Sequence, residues 1–265
     1  MTIVIQEIID RLWEPVATRP PRTVDALLTG DPASRVRGIA VAFAASQAVV
    51  ERARDMGANL LIVHEGVYYS HMDRTDTLAG DAVYEDKRRF ISQSGLAVYR
   101  FHDGIHLYRP DGITSALAQA LGWVSFVDEH RPAATLLTLP GATVGEVAAL
   151  AKERLGLPFV RVVGDPGMPC ARVGLLAGYR GGGDLVIPLL GNEGLDLVLA
   201  GEGPEWESPE YVRDAVSQGK PKALILLGHA ASEEPGMADL AAGLARAYPA
   251  IPVRFLPDKP VFQIY

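Results

Sequence analysis

The chain has 265 residues, enough for one large α/β domain or for two modest lobes around a cleft. With 25 Lys and Arg against 32 Asp and Glu it carries a net charge of −7, which argues against a general nucleic-acid or anionic-membrane binder. Its single cysteine, Cys170, excludes an intrachain disulfide and any cysteine-rich zinc site, so a bound metal must be held by His, Asp and Glu.

Ile5, Ile8, Ile9 and Leu12 recur at helical spacing and predict a short amphipathic helix ended by Pro15. Arg37 to Phe43 reads as a strand, and Ser46 to Met56 as a helix with Ser46 as its N-cap and Gly57 just past its end. Asn59 to Val63 is a strand, Ala82 to Ser94 a helix closed by Gly95, Leu96 to Phe101 a strand, and Ser115 to Leu121 a helix stopped at Gly122. This alternation implies parallel strands joined by right-handed crossovers. A polar patch, Asp128 to Pro132, separates a second cycle, so a lobe boundary is placed near residue 128: lobes 1–127 and 128–265, with the final segment free to pack back on the first. The second cycle reads as a strand at Ala134 to Leu139 and a helix at Thr143 to Leu155, where Thr143 and Glu146 form a capping box. Strands follow at Phe159 to Val163 and Ala171 to Ala177, then a helix from Gly182 to Leu190 and a strand at Asp196 to Ala200. The chain closes with a helix at Ser208 to Gln218, a strand at Ala223 to Leu227, a helix at Met237 to Ala247 and a terminal strand within Ile251 to Phe255. The expected fold is α/β, with two lobes of largely parallel or mixed sheets flanked by helices.

The opening segment MTIVIQEIIDRLWEP lacks the basic and long apolar regions of a secretory signal. No run approaches the roughly 20 apolar residues of a membrane helix, so a cytoplasmic location away from membranes is expected. The chain has no Walker loop, Ser nucleophile elbow or zincin helix. The segment Tyr179 to Asp184 (YRGGGD), between a strand and a helix, reads as a plain turn ahead of a phosphate cradle, and it lacks the dinucleotide fingerprint.

Four apolar strands end abruptly in ionisable side chains. LLIV runs into His64 and Glu65; VYRF into His102 and Asp103, with His106 four residues on; LVLA into Gly201 and Glu202; and LILL into Gly228 and His229, with Glu233 four residues on. The carboxyl ends of parallel strands line the ligand crevice of open sheets, so a metal cleft between the lobes is expected there. His71 and His130 read as ordinary loop residues. Imidazole and carboxylate donors suit Zn²⁺, Fe²⁺, Mn²⁺, Co²⁺ or Ni²⁺. Three His with two carboxylates exceed the needs of one tetrahedral ion and suit two ions, with Glu233 as the candidate bridge.

The stretch from Val36 to Tyr69, VRGIAVAFAASQAVVERARDMGANLLIVHEGVYY, resembles the first signature of the Nif-three-like proteins, also called dinuclear-metal-centre hexameric proteins and often labelled type 2 GTP cyclohydrolase I. CARVGLLAGYRGGGDLVIPLLGNEGLDLVLAGEG is similar to that family's Gly-rich turn followed by a strand ending Thr-Gly-Glu, and LILLGHAASEEPGM to its Gly-His-x-x-x-Glu signature. The resemblance implies a two-lobed α/β protein assembling as a homo-hexamer with two divalent metal ions. His64, His229 and Glu233 match family ligands. Glu65 stands where the family has a second histidine, and His106 where it has a ligand aspartate; Asp103 is the alternative carboxylate. One His has become Glu and one Asp has become His, an exchange that keeps the donor count and charge.

The metal ligands are therefore expected to be His64, Glu65, His106, His229 and Glu233, with Glu202 and His102 as acid/base or supporting groups. The expected function is metal-dependent hydrolysis of a small, nucleotide-like substrate resembling that of type 2 GTP cyclohydrolase I. The alternative is a non-catalytic metal-binding or regulatory scaffold with an altered or lost site. Nucleic acid and membranes are not expected partners.

Overall fold

In the computed structural model, which describes residues 2–263 and 265, the apolar periodicity of the sequence becomes twenty helices and strands among the described residues. In chain order these are α1 (Ile5–Trp13), β1 (Ala26–Thr29), β2 (Ile39–Ala42), α2 (Gln47–Asp55), β3 (Leu60–Val63), α3 (Ala82–Gln93), β4 (Ala97–Arg100) and α4 (Asp103–His106). Then come α5 (Gly112–Ala120), β5 (Val127–His130), β6 (Thr135–Thr143), α6 (Val144–Leu155), β7 (Arg161–Val163), β8 (Pro169–Leu176) and α7 (Gly183–Gly191). The last are β9 (Leu197–Ala200), α8 (Ser208–Ser217), β10 (Ala223–Leu226), α9 (His229–Ala247) and β11 (Val253–Phe255).

The chain divides into two compact units, Met1–Arg109 with Met237–Val261, and Pro110–Gly236 with Phe262–Tyr265. The first contains a five-stranded sheet in the order β1-β4-β3-β2-β11. Its β4, β3, β2 and β11 run parallel, and β1 closes the edge antiparallel to β4. The second contains a six-stranded sheet in the order β5-β6-β8-β9-β10-β7. Here only β8, β9 and β10 are parallel; β5, β6 and β7 pair antiparallel. The mixed α/β class agrees with the sequence reading.

With few aromatics, each core is filled by small and branched apolar side chains, which are buried because removing their surface from water is the main favourable term in folding. In the first unit Ala40, Ala42, Leu61, Val63 and Val98 on the sheet meet Val49, Val50 and Ala53 of α2. In the second, Leu176, Val198, Leu224 and Leu226 meet Val186 and Leu190 of α7 and Val212 of α8. The predicted amphipathic helix α1 buries Ile5, Ile8, Ile9 and Leu12, as its spacing requires.

Ser46 caps α2 by accepting the Val49 N–H at 3.2 Å. Ser46→Ala is expected to cost about 1 kcal/mol, read as a lower urea midpoint. Cys170 on β8 is buried, and burial pushes its thiol up to about 11. An ordinary thiol titrates near about 8.5. Cys170 is therefore expected to react slowly with a disulfide reagent at pH 8 in the native protein and promptly in denaturant.

Several features differ from the sequence reading, β6 among them, which runs on to Thr143 instead of ending at Leu139. β1 and β5 were not expected, because both are short edge strands whose exposure weakens the apolar pattern. The single-turn α4 is too short to show a period. α5 begins three residues earlier than expected, on the Asp111 cap, whose carboxylate accepts the Ile113 and Thr114 N–H groups at 2.9 and 3.0 Å. α9 begins at His229 rather than Met237 and carries Pro235 within it, a residue that ordinarily argues for a helix end. Among the described residues, no helix is long and apolar enough to cross a membrane.

Candidate metal centre

In the first unit β3 and β4 are parallel neighbours, with Val63 opposite Arg100. His64 follows β3 directly, and His102 lies one residue beyond Phe101 after β4, so both side chains come from the same end of the sheet. Their rings stack with centroids 4.5 Å apart. The turn of α4 returns His106 to the same place, its ring edge-on to His64 at 5.1 Å and to His102 at 5.0 Å. These three imidazoles can present ring nitrogens within 4.8 Å of one another, a donor group able to hold a metal ion. His64 is fully buried.

Neighbouring groups fix the rings. His64 Nδ1 lies 3.2 Å from the Phe101 carbonyl and His102 Nδ1 lies 2.9 Å from Asp103 Oδ1. The other oxygen of Asp103 accepts the Thr23 hydroxyl at 2.9 Å and the Val24 N–H at 3.1 Å. Asp25 accepts the N–H groups of His102, Asp103 and Gly104 at 2.7–2.8 Å, satisfying the opening donors of α4 from a distant part of the chain. Burial holds the His102 imidazole down to about 4, with the rings of His64 and His106 adding to the effect against Asp103. The hydrogen bond from His102 keeps the Asp103 carboxyl well below the usual range. Burial pushes the Asp25 carboxyl up, against its three backbone donors.

Behind this cluster lies Arg100, the last residue of β4, fully buried. Its guanidinium donates to the His64 carbonyl at 3.2 Å, to the His71 carbonyl, to Asp73 Oδ2 at 3.3 Å and to Glu65 Oε2 at 3.4 Å. Glu65 thus faces Arg100 with one oxygen and His102 Nε2 with the other, at 3.7 Å. His71, expected as an ordinary loop residue, instead brings its ring centroid 4.8 Å from that of His102 and belongs to a second donor group, Glu65, His71 and His102.

In the second unit the loops after β8, β9 and β10 close on one another. His229 opens α9 and Glu233 lies one turn on, so both share a helix face. His229 Nε2 is 3.2 Å from Glu233 Oε2, and its Nδ1 is 2.9 Å from Glu202 Oε1. Glu233 is buried. Ser232 donates to the His229 carbonyl at 2.7 Å and accepts the Gly178 N–H at 2.9 Å. Gly178 is in the left-handed region, φ +70°, and a Cβ there would stand 2.0 Å from Glu233 Oε1. The Gly-rich turn holds a carboxylate of the chain itself: Gly183 N–H, at the start of α7, donates to Glu207 Oε2 at 2.7 Å, and Arg180 pairs with Asp111 at 3.0 Å. That is the plain-turn reading. His130 bonds Thr135 Oγ1 at 3.0 Å, as an ordinary polar residue.

The structure thus brings His64, His102 and His106 together with Glu65 beside them, and it joins Glu202, His229 and Glu233. Sequence reasoning missed Arg100, Asp25 and His71. No single-chain signal marks Arg100, whose partners come from a distant loop. An Asp two residues after Thr23 was visible, but its target turn was not.

The Duf34/NIF3 (NGG1p interacting factor 3) family model matches residues 5–260. No curated protein matches the chain. Among solved structures, Staphylococcus aureus hypothetical protein SA1388 superposes with a TM-score of 0.76 at 17% identity, covering 100% of both chains. A Bacillus cereus protein related to NIF3 gives 0.75 at 15% identity over 99% of each chain, and the protein ybgI, of unknown function, 0.74 at 20% over 97% of each. At such identities the likeness speaks for the fold alone. With the family model spanning almost its whole length, this chain belongs to the Duf34/NIF3 family.

Proposed function

We propose that this protein binds divalent transition-metal ions and uses them in hydrolysis of a small, anionic, nucleotide-like substrate. The observation that carries the reading is the convergence of His64, His102 and His106, with donor atoms within 4.8 Å. The donor chemistry fits: neutral imidazoles with flanking carboxylates suit Zn²⁺, Fe²⁺, Mn²⁺, Co²⁺ or Ni²⁺. His64, Glu65 and His106 are the ligands proposed in the first unit, and His229 and Glu233 in the second, for two ions in all. A divalent ion would supply Lewis acidity toward water and substrate oxygens. Glu202 orients the His229 ring through Nδ1 and can exchange a proton with it, while Asp103 holds the His102 ring. The resemblance to type 2 GTP cyclohydrolase I supports a purine-like substrate and a ring-shaped hexamer, and the opening segment, unlike a secretory signal, supports a cytoplasmic location.

One observation favours a second reading, a scaffold that holds metal without turnover: Glu65 is 3.4 Å from Arg100, which neutralises it. Elemental analysis of protein purified without added metal, then after soaking, tests the metal reading. About one ion per chain or more is expected, and less than about a tenth after soaking contradicts it. GTP turnover lost in His229→Ala favours the enzyme; metal retained with no turnover at all favours the scaffold.

A further inference from the structure

The two donor groups of the first unit share His102 but differ in charge environment. The Glu65, His71 and His102 group lies against Arg100, whose Nη2 is 3.2 Å from His71 Nδ1 and 3.4 Å from Glu65 Oε2. A cation placed there would meet a buried guanidinium, and Glu65 already has its counter-charge. The His64, His102 and His106 group is related differently to its neighbours. Two of its rings are anchored at Nδ1, His64 on a carbonyl and His102 on a carboxylate. An anchored Nδ1–H directs coordination to Nε2, and a carboxylate behind a histidine is the usual support for a metal-bound imidazole. A tetrahedral zinc ion with Zn–N bonds of about 2.0–2.1 Å sets its nitrogens about 3.4 Å apart. One ring nitrogen from each of the three histidines already lies within 4.8 Å of the others, close to that spacing.

We infer that His102 is itself a metal ligand, and that the tightest zinc site of this chain is a three-imidazole face of His64, His102 and His106, with Asp103 supporting His102 and Glu65 serving Arg100 instead of the ion. The inference rests on the metal reading above but changes its ligand set, since neither the sequence motif nor the family resemblance makes His102 a ligand.

The test uses the full chain, stripped with a chelator and titrated with zinc against a chromophoric competitor. His102→Ala is expected to weaken the tightest site at least about 100-fold, as His106→Ala should, while His130→Ala leaves it unchanged. His102→Gln provides the same comparison should the alanine variant fold poorly. X-ray absorption of wild-type protein loaded with half an equivalent of zinc is expected to count three imidazole ligands, independently of any variant. If Glu65→Gln abolishes tight binding while both His102 variants retain it, or if the absorption spectrum counts fewer than three imidazoles, the inference is overturned and the metal reading stands. If wild-type protein holds no zinc, both fall.

Discussion

Arg100→Met is expected to destabilise the protein by about 3–5 kcal/mol, the cost of removing one partner from a buried charge group. The fully buried guanidinium ties Glu65 and Asp73 to the ends of β3 and β4 and holds the His64 and His71 carbonyls. Without it Glu65 and Asp73 lose the buried guanidinium between them, Lys87 is the cation left acting on Asp73, and methionine satisfies neither carbonyl. The loss should appear as a lower urea midpoint. Arg100→Lys keeps the charge but not the planar fork, so it should recover less than half of the loss. A wild-type midpoint in Arg100→Met would show that the group contributes nothing to folding.

Gly178→Ala is the second large effect. At φ +70° any Cβ is strained, and this one would overlap Glu233 Oε1 at 2.0 Å and approach His229 Nε2 at 3.4 Å. Backbone strain and overpacking together predict a loss of about 2–4 kcal/mol and a displaced Glu233 carboxylate. Gly57→Ala isolates the backbone part: its φ is +79° with nothing within 4 Å of the added atom, so it should cost only about 1 kcal/mol. Equal losses in the two variants would mean that the Gly178 position is not sterically committed to Glu233.

The strand-end positions of His64, His102, Glu202 and His229 were legible in the sequence because each follows a short apolar run, and such runs stop where a strand leaves the core. The four-residue step from His229 to Glu233 was legible for the same local reason, although Pro235 hid the helix that gives it meaning. What the sequence concealed depends on distant segments meeting. Arg100 sits in an apolar strand and looks like any basic strand residue until the loop carrying Asp73 and His71 folds over it. Asp25 caps a turn that only tertiary structure forms. His71, in a polar loop, has no periodicity to mark it. The supporting groups of the site were therefore hidden, while its first donors were visible.

The metal reading is sharpest in the inferred ligand set, in which His102 takes the place first given to Glu65 and His64, His102 and His106 hold one metal ion. Anomalous diffraction at the zinc edge, from a crystal of the zinc-loaded full chain, tests it most directly. The expected result is a single strong peak within about 2.0–2.2 Å of a ring nitrogen of each of the three histidines. A fully loaded crystal with no peak there, or with a peak that touches Glu65 and leaves His102 uncoordinated, would contradict it.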